Sequence, residues 1–197
     1  MLKIKIAAAL LVATIAGGFI AAKTASQTRT ETNQRTAKSV VVIEKARTKC
    51  NVEAYRAGIA NDKLKTSIVR AKPDKNSPIL KTVTTKEEVI YYISGSDGNG
   101  WFEISKIEST GGEVDETVFE GRGWIHSSLV DMSVANADAK LYAAPRKKSR
   151  VLKKLVADKS EARPIACQGD WMKIKSGKSI GWLSPDGQCA NPLTTCS

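Results

Sequence analysis

A chain of 197 residues with 42% apolar residues and a formal net charge of +11 is long enough for one or two folded domains. Its single histidine excludes a His-based catalytic triad and any multi-histidine metal centre. Four cysteines without a Cys-x-x-Cys spacing point to two disulfides in an oxidising compartment rather than a thiol nucleophile or zinc site.

Lys3 and Lys5 precede an apolar run at residues 6–22, the pattern of an export signal cleaved after Ala22; an uncleaved run would be a short membrane anchor. Residues 23–49 carry a net +5 and a Thr- and Gln-rich stretch without apolar periodicity, expected to be a flexible basic tether. From there the charge divides. Residues 50–133 carry −3 and residues 134–197 carry +7, so the second half offers a basic face to an anionic partner.

Residues 50–57 read as an entry strand and 58–63 as a turn. A Pro-containing turn within 68–80 ends in an apolar pair, and strand signals follow at 79–83, 89–93 (VIYYI), 101–104 and 119–125. The Gly-rich loop 95–100 suits a hairpin, and residues 107–118 read as an insertion that is Gly- and acid-rich from 109. A short linker, 131–137, leads to strands at 139–143, 151–155, 163–167, 171–174 and 179–183. No long helix is called for, and small β-barrels are the economical architecture because closure removes exposed strand edges.

The chain repeats itself. EGRGWIHSSL at 120–129 returns as KSIGWLSPDG at 178–187, and NGWFEI at 99–104 returns as GDWMKI at 169–174. IVRAKPDKNSPIL at 68–80 returns as KLYAAPRKKSRVL at 140–152, with Pro73 and Pro145 at matching places. Repetition at this period means two small β domains, 50–133 and 134–197. The order of motifs (apolar–Val–Arg–x–x–Pro, an apolar pair, Gly-x-Trp, then Gly-Trp-aliphatic) resembles the bacterial SH3-like (SH3b) family. The second copy also resembles tandem envelope proteins of that family, through Leu141-Tyr142 ahead of Pro145 and the ending CANPLTTC at 189–196. The resemblance implies two tandem SH3-like barrels in an exported, non-catalytic module that recognises cell-wall peptide or glycan, or positions an envelope protein. It implies no cofactor and no nucleic acid.

Candidate ligand residues are Tyr142, Trp124 and Trp182, whose aromatic faces could stack on a sugar or peptide, whereas Trp101 and Trp171 read as core or barrel-lip residues. The densest basic cluster is Arg146, Lys147, Lys148, Arg150, Lys153 and Lys154, a candidate anionic-partner patch. His126 reads as structural. Glu87–Glu88 and Asp115–Glu116 read as solvated acids, not a glycosidase pair. Cys167 and Cys189 flank the two Trp strands of the second copy, which favours Cys167–Cys189 with Cys50–Cys196; the rival pairs Cys189 with Cys196.

Overall fold

The computed structural model describes residues 47–56, 65–110, 115–135, 138–156 and 162–189, all within one compact unit, Ile43–Ser197. The expected export signal, most of the tether, the turn at 58–63 and Cys196 lie outside the described residues.

The fold is all-β with antiparallel sheets. The first half holds β1 (Thr48–Arg56), β2 (Lys65–Arg70), β3 (Ile79–Thr85), β4 (Glu88–Ser96), β5 (Trp101–Thr110) and β6 (Glu116–His126). The second holds β7 (Ser133–Val134), β8 (Lys140–Tyr142), β9 (Val151–Lys154), β10 (Arg163–Gln168), β11 (Trp171–Ser176), β12 (Ser179–Leu183) and β13 (Gln188–Cys189). The first sheet runs β1-β4-β5-β6-β2-β3 and the second β10-β11-β12-β8-β9. Without β1, the two orders are the same, strand for strand. The sequence repeat is therefore a repeat of topology.

The recurring Gly-Trp has a steric cause. A Cβ on Gly123 would strike the Val69 side chain of β2, and one on Gly181 would lie 2.9 Å from the Tyr142 carbonyl oxygen of β8. In each half the strand that opens the unit crosses the closing strand at this point, and only glycine lets the backbones approach. The crossing is short. β2 meets β6 only at Arg70↔Trp124, and β8 meets β12 only at Tyr142↔Trp182 and Leu141↔Leu183. Among the described residues the end strands of neither sheet pair with each other, so hydrogen bonds close neither sheet. The end strands β3 and β9 carry Lys81 and Lys154 beside exposed apolar side chains.

Of residues 107–118, expected as an insertion, 107–110 and 116–118 extend β5 and β6 into a longer ribbon. Ile107 pairs with Phe119, Glu108 with Thr117 and Ser109 with Glu116.

β1 joins the two halves. Its residues pair with β4 from Thr48↔Ser96 to Arg56↔Val89. Its other edge reaches the β10–β11 turn, where the Asn51 N–H donates to the Gly169 carbonyl at 2.9 Å and the Gly169 N–H to the Lys49 carbonyl at 2.8 Å. Cys50 is bonded to Cys167, 117 residues away. This corrects the expected pairs Cys167–Cys189 and Cys50–Cys196. Cys189 is also in a disulfide, whose partner lies outside the described residues. Cys167 faces β1 because its strand ends against that of Cys50, a non-local contact that spacing along the chain does not encode. Lys49, read as the last tether residue, belongs to β1.

The linker is a seam too. Tyr55 and Asp131 exchange backbone hydrogen bonds at 3.1 and 2.6 Å, the Tyr55 hydroxyl meets Ser133 Oγ at 2.7 Å, and β7 pairs with β13. Val130, Met132 and Val134 carry a single apolar cluster from Phe102 and Ile104 in the first sheet to Leu141 and Met172 in the second. The halves repeat, but their cores are continuous.

Candidate functional site

Register places one row of side chains across each sheet. In the first it is Gly95–Glu103–Trp124–Arg70–Ile79. In the second it is Ala166–Lys173–Trp182–Tyr142–Val151. Directly opposed residues of antiparallel strands share a face, so each row is a continuous strip.

The first row is covered. Glu103, 1% exposed, is ion-paired with both Arg47 and Arg122. Gly95 makes room for this pairing, since a Cβ there would stand 2.6 Å from Arg47 Nε. Trp124, opposed to Glu103 in the row, is only 6% exposed, so its face is not presented as the sequence suggested. The second row is open. Lys173 replaces Glu103 and its ammonium lies 5.8 Å from the centroid of Trp182, which is half-buried. Tyr142, next in the row, packs edge-on against Trp171 with centroids 5.5 Å apart. The structure therefore brings Tyr142 and Trp182 together, adds Lys173 and Trp171, and leaves Trp124 elsewhere.

The same outward face of the first sheet carries a cleft of about 540 Å³. Trp101 and His126 form one wall as an edge-to-face pair, centroids 5.1 Å apart. Arg70 and Lys75 stand at its rim with Ile68, Pro73 and Leu129 among its lining. Trp101, read as a core or lip residue, is thus a wall of this cleft. The Ser128 N–H donates to His126 Nδ1 at 3.2 Å, and the Ser128 hydroxyl lies 2.7 Å from the same nitrogen. In the second half Tyr142 replaces Arg70 and Ser184 replaces His126, and the corresponding hollow is about 340 Å³. There Lys147 is paired with Asp186 at 3.2 Å. Hydrogen bonding from Ser184, then Lys147, holds the Asp186 carboxyl below its usual range.

A second repeat lies within these sites. Ser77 and Ser149 stand at the same offset as Pro73 and Pro145. Ser77 Oγ accepts from the Lys72 N–H and Ser149 Oγ from the Ala144 N–H, both at 2.9 Å, so each serine sets the same turn. That turn carries the basic cluster and divides it. Arg146, Lys148 and Arg150 are exposed on the turn and Lys154 on β9 opposite Lys140, whereas Lys147 is in its ion pair. Lys153 donates to the Ser176 hydroxyl and carbonyl at 3.3 and 3.4 Å.

Of the acids read as solvated, Glu87, Asp115 and Glu116 are exposed, and only Glu88 differs. Glu88 is 7% exposed, its Oε1 has no hydrogen-bond partner among the described residues, and burial pushes its carboxyl up. Among the described residues no group of three His, Cys, Asp or Glu is placed to hold a metal, and no helix is long and apolar enough to cross a membrane.

No family model matches the sequence, and no curated protein matches it. Among solved structures, NlpC2 from Trichomonas vaginalis is similar at TM-score 0.30 and 17% identity, over 75% of this chain and 49% of that one. The chain thus spans about half the length of that protein, and a likeness at this score carries no argument about fold or activity.

Proposed function

We propose that the chain is a non-catalytic, exported envelope module of two tandem SH3-like units, periplasmic or secreted, that binds cell-wall peptide or glycan. A retained leader would anchor it in the membrane facing the same compartment. The observation that carries the reading is the open row Lys173–Trp182–Tyr142, with Trp171 beside Tyr142: aromatic faces next to an ammonium that forms no ion pair among the described residues. Aromatic rings stack on sugar or peptide planes, and the cation adds attraction for anionic wall polymers. The Cys50–Cys167 disulfide fits an oxidising compartment.

The test is co-sedimentation with insoluble peptidoglycan sacculi at low and moderate salt. Binding that survives salt and falls at least about tenfold in Trp182→Ala and Tyr142→Ala supports the reading. Binding abolished by salt alone reduces it to the basic surface, and no binding rejects it.

An adaptor role, binding another envelope protein, draws on a different observation. Ile79, Leu80 and Val151 are 54%, 50% and 45% exposed on the edge strands β3 and β9, a surface suited to strand addition. Cross-linking in the envelope through a photoreactive residue at Leu80 would capture a discrete partner on that reading and none on the first.

A further inference from the structure

We infer that the cleft of the first sheet is a separate binding site for a carboxylate joined to a small apolar group, of the kind presented by the C-terminal residue of a peptide. It rests on the wall-binding reading only for where such peptides would come from.

Arg70 supplies the anion-binding group. One nitrogen, Nη1, donates to the Ser77 carbonyl at 2.7 Å, which fixes the guanidinium at the rim. No other bond from it is found among the described residues, so the remaining N–H donors are available for a carboxylate in forked geometry. Lys75, exposed on the same rim, forms no ion pair there. The acid that also lines the cleft, Asp74, turns its Oδ1 into the loop to accept from the Asn76 N–H at 2.8 Å. The rim is therefore cationic towards an entering group. Behind it, Trp101, His126, Ile68 and Leu129 offer an apolar wall, and about 540 Å³ accommodates one or two residues rather than a folded partner. The chain contains its own control. Where the second half has the same backbone, the guanidinium is replaced by Tyr142, whose ring leans on Trp171, and the rim lysine is neutralised by Asp186. Only one of the two equivalent places can take the anion.

The experiment titrates the full chain with N-acetyl-alanyl-alanine, as both stereoisomeric series, and with its C-terminal amide, following the Trp101 indole by NMR. The acid is expected to shift Trp101. The amide is expected to bind at least about tenfold more weakly, as is the acid to Arg70→Gln, because a charge-assisted pair is lost. Lys75→Gln, on an exposed side chain that makes no internal bond, should weaken the acid by a smaller factor without disturbing the turn. Equal binding of acid and amide, wild-type affinity in both variants, or no Trp101 response at millimolar acid overturns the inference. Sacculus binding lost in Trp182→Ala but intact in Lys75→Gln, with no dipeptide binding, would reject the cleft alone. Dipeptide binding without sacculus binding would reject the wall reading alone.

Discussion

The two sheets share a strand order, a Gly-Trp crossing and a serine-set turn, yet present opposite surfaces. In the first, Glu103 pairs with Arg47 and Arg122 beside a buried Trp124, while Arg70 bends to Ser77 at the edge of a cleft. In the second, Lys173 leaves the row open and Tyr142 leans across the place of the cleft. Two positions in one register row, Glu103/Lys173 and Arg70/Tyr142, account for the exchange. A repeated backbone sets where a site can be, and the charge at two points sets which place is open.

The largest effect should come from removing what forces the halves to share one body. Cys50→Ser, paired with Cys167→Ser, is expected to lower stability by about 2–5 kcal/mol in urea unfolding, because the bond closes a loop of more than 100 residues. A loss below about 1 kcal/mol would mean that the continuous core and the β7–β13 pair suffice. Glu103→Ala should cost about 2–3 kcal/mol, less than a fully buried pair, since Arg122 is 70% exposed and rehydrates. It should also make Trp124 accessible to a fluorescence quencher, turning the first surface towards the second; unchanged quenching would show that the ion pairs do not cover Trp124. Gly181→Ala should cost about 2 kcal/mol by crowding the Tyr142 carbonyl, measured as a lower thermal midpoint.

The smallest effect is on pH. Burial raises the Glu88 carboxyl, so the folded chain keeps that proton where the unfolded chain has released it. Stability should therefore rise as pH falls towards the ordinary value of about 4.5. Hydrogen bonds from Lys106, then Tyr92, lower Glu108, whose contribution is complete above about 4.5 and fades as pH falls through its lowered folded value. A shallow maximum near 4.5 is expected, and Glu88→Gln should flatten its alkaline side while leaving the acid side in place.

Much of this was legible because it is local. Alternation marked β4 and β5, and the recurring Gly-Trp marked the crossings, since a missing Cβ leaves a trace in the sequence. Tyr142 and Trp182 were legible as ligand candidates for the same reason. The ion pairs of Glu103 were not, because Arg47 precedes β1, far from Glu103 along the chain, and a charge does not announce which distant charge it will meet. Trp101 looked like Trp171, but its neighbour across the strand, His126, decides that it walls a cleft. The disulfide was misjudged for a like reason: flanking the same strands made Cys167 and Cys189 look like partners, while β1 brought Cys50 closer.

The position of β1 also sets an order of assembly. It is made first and completes the first sheet by pairing with β4, but its disulfide partner is 117 residues further on. At about 5–20 residues per second, Cys50 waits on the order of 6–25 s for Cys167 to be synthesised. During that time the first sheet can form, but Cys50 remains a thiol, or is held in a mixed disulfide by an exchange catalyst. The bracing strand is thus the earliest described part of the fold to appear and among the last to be secured.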